Sequence, residues 1–348
     1  MSPYTLTILL SSLGLGTTLT FMTSHWLLAW MGLEINTLAI LPLMAQHHHP
    51  RAVEAATKYF LAQAAAAATI LFASTINAWT MGEWNILCLS NPVATTLITM
   101  ALALKVGLAP LHFWMPPVMQ GLDLTTGLIV ATWQKLAPLA LMIQIFPLTN
   151  PQLIMTLALL SIITGGWGGL NQTQLRKIMA YSSIAHLGWM TAITQFKPQL
   201  TIMVLFTYII MTAATFLTFK FMHTTKINTM AMTWSKMPII TTTAALTLLS
   251  LGGLPPLTGF MPKWLILQEL TTQDLPMTAT IMALSALLSL YFYLRLCYSM
   301  TLTISPNTNN SLTPWRLQNT QNTIMLAMFT MSALTLLPLT PLAQALTI

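Results

Sequence analysis

Along the chain, long apolar runs alternate with short punctuation by Pro, Gly and polar residues. The runs exceed soluble core helices in length and lack the short alternating pattern of membrane β-strands. Cutting at the punctuation predicts eleven membrane helices: 3–22, 25–44, 54–79, 92–120, 124–146, 150–170, 174–194, 199–222, 238–268, 276–300 and 324–343. Helices 92–120 and 238–268 are interrupted. The connections are short except for 301–323, a polar Asn/Thr/Pro loop, and no soluble domain is inserted. The expected fold class is an all-α polytopic membrane protein forming one membrane domain over residues 1–348.

The two interruptions share a pattern. GLAPLHFWMPP from Gly107 and GLPPLTGFMPK from Gly253 match at six of eleven positions, at a constant offset of 146 residues. The breaks are marked by Gly107 and Pro110 in one and by Gly252, Gly253, Pro255 and Pro256 in the other. Five crossings separate them, so they run in opposite directions. Paired Gly/Pro-interrupted helices of this kind mark inverted-topology repeats and their ion or substrate paths. The expected organisation is two inverted five-helix repeats, 1–147 and 148–300, each with one discontinuous helix, followed by the loop 301–323 and a C-terminal helix within 324–348. Two Pro-kinked packing elements are the simpler alternative.

Composition agrees with this picture: 55% of residues are hydrophobic and 5% charged, and mean hydropathy is +0.71. The charge of +7 comes from scattered Lys and Arg, without the basic face that nucleic acid requires. The charges order by topology instead. Arg51, Lys58, Arg176, Lys177, Lys220, Lys226, Lys236, Arg295 and Arg316 fall on one side of the eleven crossings and Lys197 on the other. The positive-inside rule then places the N-terminus on the inner side and the C-terminus outside. Glu83, Glu269 and Asp274 fall opposite the basic side. The start, MSPYTLTILL, has no basic n-region or amphipathic presequence, so its run is expected to stay as a membrane helix.

Lys105, Lys135, Lys263 and Glu34 belong to no loop. A charge at the bilayer centre costs roughly 2.5–3.5 kcal/mol on insertion scales, so each needs a function or a partner. Burial disfavours a charged lysine and a nearby carboxylate restores it, so a Lys whose partner moves or is neutralised can take up and release a proton. Glu34 with Lys105 is the natural pair, and Lys135 and Lys263 would continue the line, with His112 and His186 as intermediate carriers. The structural alternatives are a static Glu34–Lys105 ion pair, a Lys135 bonded to carbonyls freed by Pro138, a Lys263 that snorkels, and histidines satisfied within the core. His47, His48 and His49 lack Cys or clustered carboxylate partners for a metal. Cys88 and Cys297 are too isolated for a disulfide framework or an iron–sulfur site, and no facing His pair would ligate haem. Met, Thr and Trp residues face lipid, pack helices or form an interfacial belt.

Five stretches in this order over essentially the whole chain carry a resemblance: HWLLAWMGLEINTLAILP around Glu34, LKVGLAPLHFWMP around Lys105, ATWQKLAP around Lys135, YSSIAHLGWM around His186 and GGLPPLTGFMPKW around Lys263. They resemble the antiporter-like membrane subunits of respiratory complex I, NADH:ubiquinone oxidoreductase, of animal mitochondrial type. That family includes the Mrp-type cation/proton antiporter subunits. The resemblance implies that the family's essential glutamate is Glu34, its broken-helix lysine Lys105, its central lysine Lys135 and its terminal lysine Lys263. Some sister chains end in glutamate at the last position. The implied chain lies in the mitochondrial inner membrane, N-terminus in the matrix and C-terminus in the intermembrane space, beside neighbouring antiporter-like chains of the membrane arm. It would move protons from matrix to intermembrane space through internal water. Cofactors are implied to be none in this chain, with FMN and iron–sulfur clusters in partner subunits that carry out NADH oxidation and ubiquinone reduction. An autonomous cation/proton antiporter and a structural spacer remain as alternatives.

Overall fold

A computed structural model of the chain describes residues 2–46, 49–303, 323–341 and 345. The regular elements are α1 Pro3–Met22, α2 Trp26–Met44, α3 Pro50–Met81, α4 Pro92–Val106, α5 Met115–Gly121, α6 Leu124–Ala131, α7 Trp133–Ile145 and α8 Pro151–Gly169. They continue with α9 Leu175–Thr194, α10 Pro198–Phe221, α11 Ile227–Ala231, α12 Pro238–Gly252, α13 Phe260–Thr272, α14 Pro276–Thr301 and α15 Ile324–Thr335. Among the described residues there is no strand beyond isolated bridges at His25–Asn85 and Gln174–Lys226.

Local chemistry explains where these helices begin. Pro is the first residue of α1, α3, α4, α8, α10, α12 and α14, where its missing N–H costs no hydrogen bond. Ser2, His25, His49 and Asn91 cap α1 to α4 by accepting from backbone N–H groups. Within the helices, hydroxyls donate to carbonyls three residues back, as Thr20 does to Thr17, Ser182 to Met179 and Thr215 to Thr212. This lets a Thr-rich sequence enter hydrocarbon without orphaned donors.

Seven spans are long and apolar enough to cross a membrane: α1, α2, α3, Leu124–Leu148, α8, α10 and α14. α4, α12 and α15 are shorter apolar helices. The chain is a polytopic helical membrane protein. Its exposed surface includes Phe206, Leu284 and Met328, as a lipid-facing belt requires.

The chain forms two compact units, Met1–Ser161 and Ile162–Ile348. In unit 1, α1 lies along α2, α3 packs on α2, α4 and α5, and α7 packs on α1, α2 and α4. In unit 2, α10 packs on α9, α12, α13 and α15, while α14 covers α9, α11, α12 and α13. Thr258 donates to the Ala333 carbonyl at 2.5 Å, tying the segment between α12 and α13 to α15. Arg295 donates to the Leu170 carbonyl at 2.6 Å, holding α14 to the end of α8.

Several boundaries differ from the sequence expectation. α3 begins at Pro50, because His49 caps it, so Arg51, Glu54 and Lys58 lie on its first turns. The segment 124–146 is not one continuous helix: it breaks at Thr132, whose backbone has φ −114° and ψ −68°. Thr132 Oγ1 donates to the Leu128 carbonyl, and Pro138 cannot donate to Gln134. α13 extends to Thr272 and so carries Glu269, which the pattern had left in a loop. The last continuous helix stops at Thr335, before Pro338 and Pro341, with a 3-10 turn at Leu337–Leu339. His47, His48, Arg316 and nearly all of the loop 301–323 lie outside the described residues, as do residues 342–343.

α1 and α2 meet through small residues. A Cβ on Gly16 would meet Asn36 Oδ1 and, at 2.9 Å, the Gly32 carbonyl; a Cβ on Gly32 would meet the Gly16 carbonyl at 2.9 Å. Without hydrophobic drive between helices in lipid, such close packing is what joins them. Gly16→Ala is therefore expected to destabilise unit 1 by about 1–3 kcal/mol, as overpacking does. Gly14→Ala, with nothing within 4 Å, should be close to neutral. Melting temperature and steady-state level of the two variants check this.

Candidate functional site

In unit 1, Lys105 and His112 lie at the break between α4 and α5, with Glu34 in electrostatic range of Lys105. α4 ends at Val106 because Gly107 adopts φ +90°, and the Gly107 and Leu108 N–H groups both return to the Ala103 carbonyl at 2.9 Å. Left-handed glycine with these returning bonds is a helix stop that satisfies backbone acceptors locally. Two further carbonyls are met by side chains: Trp114 Nε1 donates to Leu104 at 3.0 Å, and Gln63 Nε2 on α3 donates to Lys105 at 3.4 Å. The Ala109–Pro110 bond is cis.

Lys105, in the last turn of α4, is 2% exposed, and no hydrogen-bond partner reaches its Nζ among the described residues. Glu34, half-buried midway along α2, acts on it through space. The expected pair is thus brought into one site, but across a gap and without a contact ion pair. Glu34 Oε2 instead accepts from Thr37 Oγ1 at 3.1 Å. Tyr59 on α3 is fully buried, has no hydrogen-bond partner for its hydroxyl among the described residues, lies within electrostatic range of Glu34, and meets the Trp114 ring edge-on at 5.7 Å. A lysine ammonium, a tyrosine hydroxyl and the unbonded Gln63 Oε1 therefore share a buried polar region. His112, 7% exposed, lies in the break and stacks on Phe113. Lys135, 2% exposed, follows the Thr132 break in the first turn of α7.

In unit 2 the corresponding stop lies between α12 and α13. Gly253 has φ +80°, and Leu254 N–H returns to the Leu249 carbonyl at 3.3 Å. The Pro255–Pro256 bond is cis. Lys263 does not snorkel: its Nζ donates to the carbonyl of Gly252, the last residue of α12, at 2.7 Å. A lysine here performs the task that Trp114 and Gln63 perform in unit 1.

Lys263 and His186, on α9, line one small cavity of about 10 Å³ with Tyr208, Met211 and Ile266, the lower limit of space for a single water. Tyr208 on α10 faces the His186 ring with centroids 5.6 Å apart. Its hydroxyl bonds Ser183, which itself donates to the Ala180 carbonyl, so the tyrosine is the donor. Tyr293 on α14 is buried beside Ser182 and Gly252, without a well-formed hydrogen bond. Sequence reading missed these tyrosines, because in a chain with 7 Tyr a lone buried one carries no signal. It missed Tyr59 and Gln63 for the same reason.

Outside the spans, Cys88 is exposed, and the neighbouring Glu83 carboxylate, as acceptor for the thiol and through its charge, raises the thiol above its ordinary range, against thiolate chemistry. Among the described residues, no three His, Cys, Asp or Glu side chains converge in a metal-binding group.

Residues 23–289 match the family model described as NADH:quinone oxidoreductase/Mrp antiporter, TM, and residues 290–344 match NADH dehydrogenase subunit 2 C-terminus. The chain is 72% identical over 347 residues to NADH-ubiquinone oxidoreductase chain 2 of Carassius auratus, covering 100% of both chains. It is 63% identical over 348 residues to the protein of the same name in Squalus acanthias, again with 100% of both covered. A chain of respiratory complex I from Thermus thermophilus superposes with a TM-score of 0.85 at 26% identity, over 99% of this chain and 80% of that one. A chain of the Mrp complex from Dietzia shares the fold, with a TM-score of 0.82 at 16% identity over 97% of this chain and 76% of that one. With 267 consecutive residues, 23–289, under one family model, the chain belongs to the NADH:quinone oxidoreductase/Mrp antiporter membrane family.

Proposed function

We propose that the chain is a membrane-arm subunit of NADH:ubiquinone oxidoreductase that carries protons from the mitochondrial matrix to the intermembrane space. NADH oxidation and ubiquinone reduction, with FMN and iron–sulfur clusters, belong to partner subunits, and neighbouring antiporter-like chains flank it. The observation that carries this reading is Lys105: an ammonium 2% exposed and without a bonding partner among the described residues, beside a broken helix and in the field of Glu34. A permanently charged group in that position is poorly supported, whereas one that alternates between ammonium and amine is not.

The route runs through Glu34, Lys105 and Lys135 with His112 in unit 1, and through Lys263 with His186 in unit 2. Internal water joins the groups within unit 1, since the donors and acceptors at Lys105, Tyr59 and Gln63 that lack a partner among the described residues need a small polar one. When Glu34 is charged, Lys105 holds its proton. When Glu34 is neutralised, burial favours release.

The topology we propose has eleven crossings. The seven long spans are joined by four more: α9, the α4–α5 pair, the α12–α13 pair and α15. Residues 1–147 and 148–300 form inverted repeats. The left-handed glycines Gly107 and Gly253, and the matching bonds of Leu108 to Ala103 and Leu254 to Leu249, support this at the same 146-residue offset. The N-terminus lies in the matrix and the C-terminus in the intermembrane space, following the basic residues.

Substituting Lys105 separates a proton carrier from a static charge. Lys105→Met in the reconstituted complex should lower coupled proton output by on the order of tenfold or more, since a positioned proton-transfer group is worth about 10²–10⁴ in rate. Lys105→Arg keeps the positive charge but cannot give up its proton, so it should fail as Met does. Full pumping with Arg would establish a static charge at this position. An autonomous cation antiporter is excluded by a second measurement: proton output per electron should stay unchanged when choline replaces Na⁺ and K⁺ in proteoliposomes of the complex.

A further inference from the structure

Two turns beyond Lys263 on α13, the Glu269 side chain is only 10% exposed. Its Oε2 meets Lys197 Nζ at 2.6 Å, and its Oε1 accepts from Gln273 Nε2 at 3.2 Å. Lys197, which precedes α10, is the one Lys or Arg that charge ordering puts on the side opposite the basic loops. Its own side chain is 58% exposed. The ion pair therefore joins a carboxylate out of water to an ammonium in it. The other acids expected at that end, Glu83 and Asp274, are exposed, so Glu269 is the buried one.

Ile266, 0% exposed, stands between this pair and the cavity shared by Lys263 and His186, and it lines that cavity. Glu269 lies six residues beyond Lys263 on α13, about 9 Å in rise and roughly 120° around the helix, so a water relay between them passes round the helix by way of Ile266, which is midway in both. Glu269 is the first carboxylate a proton meets along α13 after leaving Lys263.

We infer that Glu269 is the residue that takes the proton released by Lys263 and passes it to the outer end of unit 2, with Ile266 as the apolar barrier and Lys197 as exposed counter-charge. The inference rests on the proton-carrying reading above. An N–H bond of Lys263 breaks with its electron pair left on nitrogen, water relays the proton, and an O–H bond forms on a Glu269 oxygen. Lys197 meanwhile keeps its charge in solvent. The O–H bond then breaks toward water beyond the barrier, and the ion pair re-forms. Because one partner is already hydrated, opening the pair strands no buried charge.

A purely structural clasp between α13 and the start of α10 is the competing account, and charge reversal distinguishes the two. Glu269→Gln in the assembled complex should reduce proton output per electron roughly twofold or more while uncoupled electron transfer is unchanged. The double variant Lys197→Glu with Glu269→Lys restores an ion pair, and is expected to assemble yet still pump poorly. Wild-type pumping in Glu269→Gln, recovery of pumping by the double variant, or failure of Glu269→Gln to assemble would each overturn the inference. Lys105→Met measured alongside separates the two levels. If Lys105→Met loses output and Glu269→Gln does not, only the role of Glu269 falls; if neither loses output, the proton-carrying reading falls with it.

Discussion

Hydrocarbon supplies no hydrogen bonds, so each carbonyl released where a membrane helix stops must find a donor inside the protein. That constraint governs both sites. At the end of α4 the carbonyls of Ala103, Leu104 and Lys105 are met by the Gly107 and Leu108 amides, by Trp114 and by Gln63. At the end of α12 the Gly252 carbonyl is met by Lys263. The left-handed glycines turn the chain sharply enough to bring these donors within reach, and the residues just after each break become the walls of a polar interior. Close helix packing then has to hold those walls, which is why glycines such as Gly16 and Gly32 occur where backbones touch.

The same constraint sorts the buried charges by how well they are supported. Lys105 has its carbonyl bonded and its ammonium unbonded among the described residues, with Glu34 acting from a distance. Lys263 has its ammonium bonded to backbone and shares a water-sized cavity with His186, whose ring is backed by Tyr208. Glu269 is bonded twice, to Lys197 and Gln273. From one residue to the next the support for charge increases, as does the proximity to solvent through the exposed partner of the last.

Much of this was legible in the residue order because the signals were large. A lysine inside an apolar run, or a Gly-x-x-Pro interruption repeated at fixed offset, stands far outside what packing requires, and Lys105, Lys263 and both breaks were found that way. Weaker signals failed. The stop at Thr132 carries no Gly or Pro of its own: its backbone leaves helical dihedrals while its N–H and hydroxyl both still reach the Leu128 carbonyl, chemistry shared by many Thr residues that bend nothing. Glu269 was assigned to a loop because hydropathy falls at Gln268 and Glu269, although the helix continues to Thr272 and buries the carboxylate. Pairing by charge alone named Glu34 as the partner of Lys105 but could not give the gap between them, since side-chain reach cannot be read from sequence spacing across different helices.

The two helix stops differ in one respect that bears on motion. In the first, the carbonyls are held by an indole, an amide and backbone N–H groups, none of which changes charge, so Lys105 can gain or lose a proton while the backbone around it keeps the same bonds. In the second, the clamp is Lys263, the group that carries the proton in the proposed reading. An ammonium donates a charge-assisted bond, roughly twice the strength of the neutral bond an amine would make, so each change at Lys263 loosens or tightens the joint between α12 and α13. In the proposed reading, one lysine would store charge silently, whereas the other would convert charge into tension on its own backbone.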